Sequence, residues 1–270
     1  MTTSISASFA FRTEEPTDVL LQFEAAAIPE QRLLAANTSM SSSEYCARVA
    51  AGDDIGERIW LRVDGRFEVE YTSEVELDRL LSPISALHRV PPHTLPAEAV
   101  KYLFDSRYCQ ADRMQSFVHD EFGQAEGGAR IMAMHNWIAS NFTYTPGASN
   151  SSTTAVDSFI ERRGICRDYA HVMIAFARAS GIPARFVSCF APQVTPPDFH
   201  AVAEVFLSDP TMADGSSISG GAWYLIDATN MANAEDIVKI GVGRDAADVS
   251  FMTSFGAAEF LEKTVEVKTG

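Results

Sequence analysis

The stretch from Ile165 to Ser180 constrains this chain more than any other. It is the most apolar run with helical character, and it stops at Gly181-Ile182-Pro183. A glycine just past the last helical residue, followed by a proline, is how a helix terminates. A helix this apolar has to be buried, so the surrounding chain must wrap it. Residues 97 to 182 read as helical, with a loop between helices. Ala97–Phe104 is short, and Ala125–Asn141 places Ile131, Met134, Trp137 and Ile138 at helical spacing. Thr145 to Asn150 is a loop, and Thr154–Arg162 is another short helix. From Ala184 the pattern changes to strands: Arg185–Ala191, His200–Leu207, Trp223–Asp227 and a last one over Leu261–Lys268. The Ser-, Gly- and Asp-rich segment from Ser208 to Gly221 reads as an exposed hairpin loop.

Residues 1 to 95 are β-rich. Ser4–Phe11 alternates, Val19–Phe23 is a second apolar run, and Arg58–Val63 and Phe67–Thr72 flank Asp64-Gly65, a hairpin signal. Pro83, Pro91-Pro92 and Pro96 then break the pattern. The expected fold is α+β. A β-rich N-terminal domain over 1–95 precedes a core over 96–270, in which a helix packs on an antiparallel sheet. With 270 residues, 46% of them hydrophobic, the chain can bury such a core without metal or disulfide staples.

The formal net charge is −15, a field that repels phosphate backbones and anionic headgroups. Neither nucleic acid nor a membrane is therefore an expected partner, and no apolar run approaches the ~18 residues of a membrane span. The first ten residues hold no basic n-region and no apolar h-region, so no secretory signal is read. Cys46, Cys109, Cys166 and Cys189 include no CxxC pair, which gives a zinc cluster no support. Reduced thiols in a cytoplasm are the expectation.

Cys166 opens the apolar helix. A thiol there faces unpaired backbone N–H groups and the positive end of the helix dipole, which favour thiolate and can hold an oxyanion. The bland alternative is a small buried core residue. A nucleophilic thiol needs a base, and the base needs an orienter. His171 lies about 140° around the helix from Cys166 and points elsewhere. His88 and His93 sit in the proline-rich boundary, and His119 and His135 read as solvent-facing helix positions. His200 opens one strand and Asp227 ends the next, so two neighbouring strands can present both to the helix N-terminus. Asp168 reads as a helix cap or as the partner of an arginine such as Arg163 or Arg185. Trp137 and Tyr144 are candidate side-chain donors to an oxyanion, with core packing the plainer reading of Trp137. Gly241-Val-Gly243-Arg-Asp-Ala246 matches GxGxxA, but a dinucleotide fold needs more chain than follows it, so a turn near the catalytic strands is expected there.

Taken together, Gly164-Ile-Cys166-Arg-Asp168-Tyr-Ala170-His, Gly181-Ile-Pro183-Ala-Arg185, Phe199-His200-Ala201 and Trp223-Tyr-Leu-Ile-Asp227-Ala-Thr229 resemble the transglutaminase-like core of bacterial cysteine proteases. Asn141-Phe-Thr-Tyr144 upstream and Gly243-Arg244-Asp245 downstream are similar to it as well, and the resemblance covers roughly 97 to 250. It implies a papain-like triad with Cys166 as nucleophile, His200 as base and Asp227 as orienter. The implied activity is thiol-dependent hydrolysis of amide or peptide bonds through a thioester, with no metal or organic cofactor. Transglutaminase-type transfer to an amine and a non-catalytic binding module on the same fold are the alternatives. The implied partner is a peptide or amide substrate.

Overall fold

Alternation of apolar and polar side chains along two unusually long segments builds the first half of the molecule. The computed structural model describes residues 2–79, 81–209 and 220–270. β1 (Thr2–Leu21) buries every second residue for most of its length, and so does β4 (Glu57–Leu77). The two run antiparallel, from Thr2 opposite Glu76 to Leu21 opposite Ile59. β2 (Gln31–Met40) and β3 (Tyr45–Ala50) pair with successive halves of β4 on its other edge. The inner face holds Phe9, Phe11, Phe23, Phe67 and Tyr71, and it packs on Phe190, Val238 and Ile240 of a second sheet.

The hairpin expected at Asp64-Gly65 does not form. β4 runs straight through these residues, and the irregularity falls on the facing strand, where Thr13 pairs with Gly65 but Thr17 with Val63. Gly65 does take a positive φ of 81°. That backbone conformation suits a bulge as well as a turn, and the apolar alternation on both sides holds the strand extended.

The helical region comprises α1 (Ala97–Val100), α2 (Gln115–Phe122), α3 (Gly127–Asn141), α4 (Ala155–Glu161) and α5 (Cys166–Ala179). Two short strands, β5 (Thr143–Tyr144) and β6 (Arg163–Gly164), flank α4. Every residue of α5 from Asp168 to Arg178 is buried. Its apolar side chains meet α2, α3 and α4 on one side and a four-stranded antiparallel sheet on the other. That sheet has the order β10-β7-β8-β9 and is formed by β7 (Ala184–Phe190), β8 (His200–Ser208), β9 (Gly221–Ile226) and β10 (Val238–Gly243). The loop expected between β8 and β9 lies largely outside the described residues, but Ser208 and Gly221 at its ends are paired. The fold is therefore α+β with antiparallel sheets, and a central helix packs on one of them.

Two further expectations are corrected. Gly241 and Gly243 stand in strand β10 rather than in a turn. A Cβ on Gly241 would fall 1.9 Å from Gln22 Nε2, so the bare backbone makes room for a side chain of the first sheet. The residues after 250 do not belong with the core. β11 (Met252–Ser254) and β12 (Ala258–Thr269) both pair antiparallel with β1, so the chain returns to complete the first sheet. Buried ion pairs also join the halves. Glu204 lies between Arg185 and Lys239, Arg185 reaches Asp53, and Lys239 reaches Glu30. Among the described residues, no helix is long and apolar enough to cross a membrane.

Candidate active site

The first turn of α5 is held by the chain just before it. β5 and β6 pair in parallel, with Tyr144 opposite Gly164, and the Thr145 N–H donates to the Gly164 carbonyl at 2.8 Å. Asp168, fully buried, accepts from the Ile165 N–H at 2.8 Å and thereby satisfies a donor at the helix start. Its other oxygen accepts from Arg167 at 2.9 Å. The capping role is as expected, but the arginine is a different one. Arg163 pairs with Glu161, and Arg185 with Glu204 and Asp53. Cys166 is the first residue of α5 and partly exposed, whereas Cys109 and Cys189 are buried and Cys46 is exposed. All four thiols are free.

His200 opens β8 and Asp227 follows β9 directly, and the antiparallel pairing of these strands brings the two side chains together. His200 Nε2 donates to Asp227 Oδ2 at 3.0 Å, with both side chains almost wholly buried. Oδ2 also accepts from the N–H groups of Met231 (3.1 Å) and Ala232 (2.8 Å). Oδ1 accepts from the Thr229 N–H (2.9 Å) and hydroxyl (2.7 Å). Burial works against the Asp227 charge, but His200 and these donors outweigh it and hold the carboxyl below its ordinary value. Burial likewise disfavours a charged His200, yet the hydrogen bonds and charges of Asp227 and Cys166 win and raise it to about 9.

With Nε2 committed to Asp227, Nδ1 is the His200 nitrogen left for Cys166. His200 and Cys166 line the same cavity of about 370 Å³. Phe186, Phe199 and Phe251 form its apolar wall, and Arg107 and Arg167 lie on its edge. Phe251 and Thr253 come from the segment that returns to the first sheet, so both halves of the molecule shape the cleft.

The remaining candidates separate cleanly. His171 points away from Cys166: its ring stacks on Tyr108 at 5.2 Å, and its Nε2 accepts from the Ala246 N–H at 3.2 Å. Trp137 is a packing residue, with Phe117 at 5.0 Å, Phe159 at 5.9 Å and the Arg162 guanidinium 4.2 Å from its ring centre. Tyr144 lies against Cys166, its hydroxyl beside both the backbone N–H and the sulfur. Asp245 serves the fold by accepting from the Tyr108 N–H at 2.8 Å. His135, read as solvent-facing, is half-buried and donates from Nε2 to the Asp227 backbone carbonyl at 3.0 Å. Nothing in the local sequence marks that contact, since it joins α3 to a turn 92 residues later. Among the described residues, no group of three or more His, Cys, Asp or Glu is placed to hold a metal ion.

A sequence profile of the transglutaminase-like superfamily matches residues 108–228, the span that contains all three of Cys166, His200 and Asp227. A crystal structure of a Cytophaga hutchinsonii protein described as a putative cysteine protease superposes with a TM-score of 0.90 at 31% identity. That match covers 99% of this chain and 90% of the other. Uncharacterized proteins of Mycobacterium leprae and Mycobacterium tuberculosis match over shorter spans. The first is 29% identical over 120 residues, 44% of this chain and 42% of its own length. The second is 30% identical over 115 residues, 42% of this chain and 37% of its own length. The alignments thus span less than half of either mycobacterial protein.

Proposed function

Because the chain belongs to the transglutaminase-like superfamily, we propose that it is a thiol-dependent hydrolase of amide or peptide bonds, working through Cys166, His200 and Asp227. The observation that carries this reading is the His200–Asp227 pair. A buried imidazole is held by one nitrogen at 3.0 Å from a carboxylate, and it lines the same cavity as Cys166. Asp227 fixes the ring and balances its charge, so His200 carries a proton at neutral pH. The Cys166 sulfur, its proton held by His200, attacks the substrate carbonyl carbon. A C–S bond forms, and the carbonyl π pair moves onto oxygen. The Cys166 N–H, unpaired within the helix at its start, is the donor available to that oxygen. Collapse breaks the C–N bond, and the leaving amine takes its proton from His200 Nδ1. Neutral His200 then draws a proton from water, whose oxygen bonds to the thioester carbon; collapse breaks the C–S bond, releases the acid and returns the Cys166 thiolate beside protonated His200.

Cys166 is partly exposed on the cleft, which favours water over a shielded amine as the second nucleophile. The apolar wall suits a peptide with an apolar or aromatic side chain near the bond cleaved. Four free thiols suit a reducing compartment, and the cytoplasm is the proposed location. Peptide-library profiling of wild type against Cys166→Ala tests the reading. Cleavage present in wild type and lost in the variant supports it, and equal profiles would sink it. Adding a high concentration of a primary amine to a cleaved peptide distinguishes hydrolysis from transfer. The acid is the expected main product by mass spectrometry, and a dominant amide adduct would assign transfer instead.

A further inference from the structure

The chain carries 36 acidic side chains against 21 basic ones, yet no aspartate or glutamate is among the described residues that line the cleft at Cys166. The cationic side chains there are Arg107, Arg167 and His200. The acids closest by are already engaged: Asp227 holds His200, and Asp198, next to Phe199 of the cleft wall, pairs with Lys263. The cleft is thus a cationic spot on an anionic molecule. Arg107 and Arg167 meet there on one platform. Their guanidinium carbons lie 5.1 and 5.9 Å from the ring centre of Tyr108. That ring is fixed in place. Its hydroxyl donates to the Ser151 carbonyl at 2.8 Å, the Tyr108 N–H donates to Asp245 at 2.8 Å, and His171 stacks on it at 5.2 Å. The two arginines differ in what they have left to give. Arg167 donates from Nε and Nη2 to Asp168, and from Nη2 to the Asn150 carbonyl, which leaves Nη1 without a partner among the described residues. Arg107 is exposed, and among the described residues its guanidinium makes no ion pair or hydrogen bond.

We propose that Arg107, with Arg167 beside it, determines specificity by binding a carboxylate of the substrate, so that the cleft selects peptides with an acidic group close to the bond cleaved; this rests on the thiol-hydrolase reading above. A guanidinium presents its N–H donors in a planar fork that matches the two oxygens of a carboxylate. Arg107 supplies a whole fork, and Arg167, the residue after Cys166, adds a donor close to the thiol. The phenylalanine wall takes an apolar neighbour, so the cleft reads a mixed sequence, one apolar group and one acidic. An aspartate or glutamate side chain and a free C-terminal carboxylate offer Arg107 the same chemistry.

The test measures kcat/KM on matched peptides built from a sequence the wild type cleaves. One arm sets Glu against Gln at the residue on each side of the cleaved bond. The other sets a free C-terminal carboxylate against its amide. The ratio of acidic to neutral peptide within one enzyme cancels any difference in folded fraction between variants. Expected for wild type is a ratio of about tenfold in at least one arm, carried mostly by KM. The ratio should fall to about twofold or less in Arg107→Ala and below one in Arg107→Glu, where a like charge repels the substrate. The arm that shows the preference names the source of the carboxylate. A wild-type ratio near one in both arms would overturn the proposal, and so would a preference that Arg107→Ala leaves intact. Wild type with no cleavage beyond that of Cys166→Ala removes the hydrolase reading and this proposal together, a result distinct from cleavage that ignores the acid.

Discussion

Two histidines lie buried within the same core, and their surroundings drive them in opposite directions. His171, inside α5, is enclosed by Tyr108 and Phe186 and accepts one N–H. Burial alone dominates, and it titrates at about 3. His200, at the start of β8, is just as deeply placed but faces a carboxylate at 3.0 Å and rises to about 9. A buried imidazole is thus a neutral packing element or a charged reactive group, depending on whether the fold supplies an anion. The supply comes from the β8–β9 register and from the turn after β9, where Thr229 joins His200 in keeping Asp227 ionised.

The sharpest way to break this contrast is to remove each member and compare activity on a peptide identified by profiling. Cys166→Ala and His200→Ala should each lower kcat by more than about 10⁴-fold, because the groups act as a unit. His171→Asn should leave kcat within about tenfold, since it alters only the support of the loop at Ala246. A His171 variant as inactive as the His200 variant would show the two sites to be one.

Asp227 is the switch between the two behaviours. In Asp227→Ala, His200 loses its anion and should titrate well below neutrality, as His171 does, with kcat falling by about 100- to 1,000-fold. Asp227→Asn should be milder, because an amide oxygen still accepts from Nε2. NMR titration of the two imidazoles measures the shift directly. A His200 that stays above its ordinary value without Asp227 would refute the assigned cause.

The same contrast fixes two pH windows. His200 is raised from 6.5 to about 9, so the stability it contributes is complete below about pH 6.5 and lost as pH rises towards 9. His171 is lowered from 6.5 to about 3, so its contribution is complete above pH 6.5 and lost as pH falls towards 3. Turnover should likewise decline about tenfold per pH unit above 9, where His200 no longer carries the proton the leaving amine needs. Urea midpoints across pH check the stability windows, and Asp227→Ala should remove the His200 contribution to the alkaline slope and steepen the acid one, since a lowered His200 then behaves as His171 does.

The smallest effect concerns the thiols. Burial pushes Cys109 up to about 12 and Cys189 well above its ordinary value, so neither should label with iodoacetamide before the protein unfolds. Cys166 should label fastest, ahead of exposed Cys46, and peptide mapping after partial reaction reads the order.

The sequence shows α5 and the order of Cys166, His200 and Asp227 because each leaves a local mark: an apolar helical run, its Gly-Pro stop, and the ends of alternating strands. It misleads at Asp64-Gly65, because a positive φ serves a bulge and a turn alike. β2 and β3 leave little pattern, since most of their residues are exposed or half-exposed on both faces. β10 hides behind its glycines: Gly241 leaves room for Gln22, and Gly243 for Asp248. The support of the site by His135 and the pairing of Asp168 with Arg167 are tertiary facts with no spacing to announce them.

The return of β12 to β1 sets an order of events during synthesis. Residues near Thr3 pair with β4 early but gain their second partner strand only when those near Thr269 have emerged, and Thr253 on the cleft wall pairs with Leu20 in the same late stage. Contacts so distant along the chain form slowly. A nascent chain could therefore fold α5 around its aromatic neighbours well before Phe251 and Thr253 close the cleft. On the ribosome, Cys166, the proposed nucleophile, would exist for a time without a finished cleft around it.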